Sequence, residues 1–248
     1  MTRVGSTAAE WARTDREALG RLLPEALVVV PVGATEQHGP HLPTGTDALI
    51  VREVAWRAAR EAAARSSRPL LVTPTLAYGA SDHHLPFGGT LSLSPSTLLA
   101  VLDDLLRCVA TQGGRRAVLL NGHGGNVGIC HAAAAAASAT LGLAVGHLDY
   151  WRLAEPDGGV PVPGHAGEFE TSLVLAIDED AVGHPAARAA VPAIPSVDGV
   201  DVHTPALWRA IDGYTDHPEK ADAPSGRRRL AHVVAQTAGR LAELAEAL

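Results

Sequence analysis

The amino-acid sequence predicts an α/β protein, a three-layer α/β/α sandwich around a mainly parallel sheet. Residues 26–33 and 116–121 are apolar at nearly consecutive positions, as strands covered on both faces are. Residues 47–65 carry Ala, Leu, Ile and Val at helical spacing. Strand, loop and helix then recur through the first 150 residues, the order that places helices on both faces of a parallel sheet.

Element by element, residues 7–20 read as a short amphipathic helix with Trp11 and Leu19 on its apolar side. The first strand, 26–33, leads through a polar Gly/Pro-rich loop to the helix 47–65. Residues 70–76 form a second strand weakened by Pro74, which cannot donate to a ladder. A Gly-, His- and Ser-rich loop ends at Ser94-Pro95, where a hydroxyl at the N-cap and a proline in the first turn open the next helix. The third strand, 116–121, runs into the turn 122–126 and an alanine-rich helix to Leu141. Residues 143–149 are a fourth strand, 166–177 a helix and 226–248 a terminal helix. Residues 179–225 hold six prolines and no sustained period; so long a loop in a compact domain serves function or a subunit contact. No repeat and no second boundary break the chain, so 1–248 reads as one domain.

Composition narrows the function. A formal net charge of −7 leaves no footprint for nucleic acid or an anionic membrane, and Arg227, Arg228 and Arg229 are too short a cluster to change that. No apolar run is long enough to span a bilayer and residues 1–20 have no apolar signal core, so the expectation is a cytoplasmic protein without membrane partners. Cys108 and Cys130, each within a helical apolar stretch, read as buried free thiols.

In such a sheet the ligand crevice lies beyond the carboxyl ends of the strands. The polar residues concentrate there: Glu36, His38, His41 and Asp47 after the first strand, Asp82, His83 and His84 after the second, His123 after the third, and His165, Glu168 and Glu170 beyond the fourth. In extended chain Glu36 and His38 point to one side, and a carboxylate and an imidazole so placed suit a borderline-soft divalent ion. Asp47, opening the next helix, is placed to bridge two ions; the plainer alternative is that it only caps that helix. Glu168 and Glu170 likewise could only complement a helix dipole. A phosphate-cradling loop at 122–126 fits poorly, since the third glycine of G-x-G-x-x-G would fall at Val127. No H-E-x-x-H, G-x-S-x-G or P-loop sequence is present. His131 reads as a packed or surface residue, and His184, His203 and His217 as solvent-facing or at contacts.

At these residues the chain resembles the creatininase (creatinine amidohydrolase) family. The matching blocks are residues 30–47, 76–94 with Phe87-Gly88-Gly89-Thr90-Leu91-Ser92, 121–126 and 165–172, and 213–226 is similar to the family's closing loop. The resemblance implies an α/β/α sandwich holding one or two divalent ions per chain (Zn, Mn or Fe). It puts Glu36 and His123 on one metal, His38 on the other and Asp47 between them. Creatininase proper adds a glutamate two residues after the histidine of the third block, where this chain has Gly125. A replacement carboxylate, Glu168 first and Glu170 second, or a single metal is then implied. So is a member of the wider family, which includes formamide deformylases and the mycofactocin precursor peptidase, and a homo-oligomer such as a hexamer.

The expected activity is amidohydrolysis of a cyclic amide, formamide or peptide by metal-activated hydroxide, because a bound divalent ion lowers the pKa of water from about 15.7 to near 7. His165, at the family's catalytic-histidine position, transfers a proton to the leaving nitrogen, help worth about 10²–10⁴-fold, with Glu168 beside it. Tyr78, His83, His84, Tyr150 and Trp151 are expected to line the pocket. The competing expectation is a non-catalytic metal- or small-molecule-binding protein that keeps the fold.

Overall fold

Five parallel strands form the sheet: β1 (Ala8–Glu10), β2 (Leu27–Val32), β3 (Leu70–Val72), β4 (Arg116–Asn121) and β5 (Ala144–Asp149), in the order β1-β3-β2-β4-β5. The computed structural model describes residues 7–156, 159–184, 200, 202 and 204–248. The helices are α1 (Arg16–Leu22), α2 (Thr46–Ala63), α3 (Pro95–Thr111), α4 (Val127–Leu141), α5 (Glu168–Ile177), α6 (Pro205–Ala210) and α7 (Ala223–Ala247).

The consecutive apolar residues of the central strands serve two cores. Leu27, Val29, Val118 and Leu120 face a layer built from α2, α5 and α7. Val28, Val30, Val32, Ala117 and Leu119 face the opposite layer, α1, α3 and α4. Alternation with period two therefore hides inside a run that reads as uniformly apolar. Leu119 is fully buried, so Leu119→Ala is expected to cost about 2–5 kcal/mol, measured by reversible denaturant unfolding.

The structure departs from the sequence expectations at element ends. Residues 7–20 are not one helix. Ala8–Glu10 pairs in parallel with Leu70–Val72, and Asp15 caps α1 by accepting the Glu17 and Ala18 N–H groups, both at 2.9 Å. Strand β3 stops at Val72, two residues before Pro74. Helix α5 starts at Glu168 because Ala166 holds φ at +49°, outside the helical region. Helix α7 starts at Ala223, where the Asp222 carboxylate accepts the Ser225 N–H at 2.7 Å. Helix α6 was not foreseen, although Thr204-Pro205 is the same hydroxyl-proline opening that marks α3. Cys130 is buried, but Cys108 is exposed on α3; both are free thiols. Within the proline-rich stretch, residues 185–199, 201 and His203 lie outside the described residues. No helix among the described residues is long and apolar enough to cross a membrane.

Strands β2 and β4 are neighbours, yet α2 leaves β2 toward one face and α4 leaves β4 toward the other. The divergence opens a crevice at their carboxyl ends, where a doubly wound sheet holds its ligand.

Candidate metal centre

Two glycines set the depth of that crevice. A Cβ on Gly33 would lie 2.7 Å from Ala48 Cα, and one on Gly122 would lie 2.7 Å from Val51 Cβ. Only glycine at both strand ends lets the first turn of α2 settle between them. Asp47, in that turn, is thereby carried to the mouth of β2 and β4.

There the Asp47 carboxylate meets two imidazoles, Oδ1 lying 3.2 Å from His38 Nε2 and Oδ2 3.1 Å from His123 Nδ1. Glu36 Oε1 is 3.2 Å from His123 Nδ1 and 3.5 Å from both His84 Nε2 and His165 Nδ1. Glu170 Oε2 completes the group at 3.8 Å from His38 Nε2. All of these residues are buried. Three sets have ligand atoms close enough to share an ion: Glu36, His38 and His165; Glu36, His83 and His123; and His38, Asp47 and Glu170.

The outward-facing ring nitrogens of the two histidines between the carboxylates are occupied. His123 Nε2 lies 3.2 Å from the Ala80 carbonyl and 3.2 Å from Ser81 Oγ, and His38 Nδ1 lies 3.1 Å from the Glu36 carbonyl. A carbonyl only accepts, so each ring donates there and turns its other nitrogen toward the carboxylates, the orientation a ligating histidine needs. Glu36 Oε1 and Oε2, His38 Nε2 and Asp47 Oδ2 have no hydrogen-bond partner among the described residues. Buried polar atoms left in that state are costly, and divalent ions would satisfy them.

The electrostatics agree. Burial opposes charge on His38, but Asp47, Glu170 and Glu36 overcome it and hold the ring up at about 10. Burial likewise opposes charge on His123, and Glu36 and Asp47 raise it well above the usual histidine range. Burial, with the Asp47 charge beside it, pushes Glu170 up to about 8. His84 and His165 go the other way: burial brings His84 down to about 3, and burial with the charge of His38 takes His165 well below the ordinary value. The centre thus has negative charge matched by cations at one end and two neutral imidazoles at the other.

The structure brings Glu36, His38, Asp47, His123 and His165 together, as expected, and does not bring Glu168. Glu168 Oε1 pairs with Arg229 Nη2 at 2.8 Å, on the side of α5 facing α7. Glu170, the second choice from the sequence, faces the centre. The left-handed Ala166 turn explains the exchange, because it rotates the start of α5 and is closed by Ala166 N–H donating to Glu170 Oε2 at 2.6 Å. The gap at Gly125 has a steric cause as well. A Cβ there would overlap the Ala80 carbonyl and come within 2.5 Å of His123 Nε2, so no side chain fits without moving the loop.

Of the expected pocket residues, His83 and His84 face the centre. Tyr150 is buried in the α2/α5/α7 core, where burial, with the charges of Glu170 and Asp47 beside it, pushes its phenol well above the ordinary value, and Trp151 packs edge-on to it. Among the histidines set aside, His131 and His184 are exposed and His217 pairs with Glu219 at 2.9 Å. Sequence reading missed Trp208 of α6, whose ring packs on His83, His84 and His165 at 5.1, 4.4 and 5.3 Å. It also missed two asparagines. Asn121 grips the His123 backbone, accepting its N–H at 3.0 Å and donating to its carbonyl at 2.8 Å. Asn126 donates to the Gly33 carbonyl and accepts the Ala80 N–H, both at 3.0 Å.

A parallel α/β/α sandwich with paired carboxylates and imidazoles at its switch point is the architecture of a metal-dependent hydrolase. This chain belongs to the creatininase family, described as creatinine amidohydrolase, which matches residues 11–241. It is 41% identical over 156 residues to the mycofactocin precursor peptide peptidase of Mycolicibacterium smegmatis, an alignment spanning 63% of this chain and 60% of that relative. The chain therefore matches about three fifths of that relative's length. The peptidase of the same description from Mycobacterium ulcerans is 34% identical over 227 residues, covering 87% of this chain and 84% of its own. Among solved structures, creatinine amidohydrolase (creatininase) superposes with a TM-score of 0.81 at 28% identity, covering 94% of this chain and 96% of that one. Creatininase structures described as Mn and as Zn-Zn type also match.

Proposed function

We propose that this protein is a divalent-metal-dependent amidohydrolase that cleaves a C–N bond in a peptide substrate. The buried set Glu36, His38, Asp47, His123 and Glu170, with its unpartnered ligand atoms, carries the hydrolytic reading. Similarity to the two mycofactocin precursor peptide peptidases supports a peptide as the amide. Glu36 and His123 would hold one ion, His38 and Glu170 a second, with Asp47 shared. Zinc and manganese suit this mixed nitrogen and oxygen donor set. A divalent ion bound here supplies Lewis-acid chemistry and lowers the pKa of water toward neutrality.

The chain's own residues carry the proton. His165 is held through Nε2, 2.9 Å from the Gln37 carbonyl, which leaves Nδ1 facing Glu36 and the centre. Water adds its oxygen to the amide carbonyl carbon and gives one proton to His165 Nδ1. That proton passes to the leaving nitrogen as the C–N bond breaks, yielding a carboxylic acid and an amine. Trp208, packed over His84 and His165, shields this corner from bulk water. The same reading takes residues 1–248 as one working domain, in a homo-oligomer of the cytoplasm, which sedimentation and fractionation measure.

Purified protein is expected to carry one to two divalent ions per chain by elemental analysis and to cleave members of a peptide panel in a chelator-sensitive way. Protein that holds no metal and takes none up on titration sinks the reading. Creatinine turnover is expected to be low or absent, since Gly125 removes creatininase's glutamate; robust turnover would show that inference wrong.

A further inference from the structure

His84 is fully buried on the 3-10 turn Asp82–Phe87, yet its Nε2 has no hydrogen-bond partner among the described residues. Its ring stacks on His165, with centroids 4.1 Å apart and planes 16° from parallel. A purely structural histidine would satisfy both nitrogens, because a buried donor without a partner loses its hydration and gains nothing in exchange. This one aims Nε2 at Glu36 Oε1, 3.5 Å away, inside the proposed reaction site.

Gln37 determines what that nitrogen carries. Its Oε1 accepts the Gly39 N–H at 3.0 Å, which fixes the amide with its NH2 toward the histidines. An amide NH2 has two hydrogens. One goes to the Gly213 carbonyl at 2.5 Å, an oxygen that can only accept. The other faces His84 Nδ1 at 2.7 Å, so that nitrogen holds a lone pair and the His84 proton sits on Nε2. His165 Nε2 lies 3.0 Å from the same Gln37 nitrogen, which has no third hydrogen to give. It lies 2.9 Å from the Gln37 main-chain carbonyl, which requires a donor, so His165 carries its proton on Nε2 and its lone pair on Nδ1.

We infer that Gln37 is a positioning residue that locks the two stacked imidazoles in opposite tautomers, making His84 Nε2–H a hydrogen-bond donor for the scissile carbonyl oxygen beside the proton-accepting His165 Nδ1. The substrate half of this assignment rests on the amidohydrolase reading; the tautomers do not. The arrangement gives one corner of the site both polarities amide hydrolysis needs, a preset donor where negative charge develops and a preset acceptor for the water proton.

The test is ¹⁵N-histidine-labelled protein, metal-free and zinc-loaded, whose long-range ¹H–¹⁵N spectra show which ring nitrogen bears the proton. His84 is expected as the Nε2–H form. In Gln37→Glu a carboxylate faces Nδ1, and the His84 signature should change to a protonated Nδ1. Gln37→Met, which also withdraws the donor, serves if that variant does not fold. On the cleaved peptide, His84→Leu should lose about 10²–10³-fold in kcat, the scale for removing one such donor, at unchanged metal content. His84→Gln, which still offers an N–H, should recover part of it. A wild-type His84 protonated on Nδ1 overturns the proposal, as does a signature unmoved in both Gln37 variants, or His84→Leu at the wild-type rate. The stated tautomers in a protein that cleaves no amide bear out the role of Gln37 and sink the amidohydrolase reading alone.

Discussion

Asp47→Asn is expected to lose bound metal and activity together. A single carboxylate faces both ligand histidines, Oδ1 toward His38 and Oδ2 toward His123. Asparagine keeps the shape but removes the charge and replaces one oxygen with an NH2 that has nothing to offer an ion. The loss should exceed the roughly 10–100-fold typical of removing a residue that only orients a ligand. The fold should survive, since α2 is seated by Gly33, Gly122 and the Thr46 hydroxyl on the Pro43 carbonyl rather than by Asp47. Elemental analysis, circular dichroism and peptide turnover on one preparation decide it. An active variant with full metal content removes Asp47 from the centre.

The second large effect separates two glutamates two residues apart. Glu170→Gln should empty one of the two metal positions and lower turnover by about 10²-fold or more, again beyond the cost of an orienting residue. Glutamine retains an oxygen to accept the Ala166 N–H, so the turn that opens α5 stays closed and the change isolates charge at His38. Glu168→Gln should leave metal content intact, because Glu168 answers to Arg229. The opposite pattern, a depleted Glu168 variant beside a loaded Glu170 variant, returns the ligand role to Glu168.

These two glutamates also mark where the sequence stops being legible. Glu36, His38, Asp47 and His123 could be found because each follows a strand whose apolar run is unmistakable, and parallel strands deliver their loops to one edge. The vacancy at Gly125 showed only through the resemblance to creatininase, which carries a glutamate at that position. Which glutamate answers it depends on the phase at which α5 begins, and an alanine with φ of +49° sets that phase; alanine carries no such signal. Gln37 is harder still. Its partners His84, His165 and Gly213 lie 47, 128 and 176 positions away, so its role exists only in the folded chain. Trp208 stayed hidden because a six-residue helix in a proline-rich stretch leaves little periodicity to detect.

Asn126 ties the loop after β2, at Gly33, to the loop after β3, at Ala80, while itself standing in the loop after β4. Three crossover segments are thus fastened at one amide, and exchanging any one of them alone for a relative's version would break a joint held by the other two. Changes in substrate range therefore have most freedom in the segment bearing Trp208, whose described hydrogen bonds to the centre run through Gly213 and Thr215. A chimera that swaps residues 204–216 should alter which peptide is accepted and leave metal loading as it was.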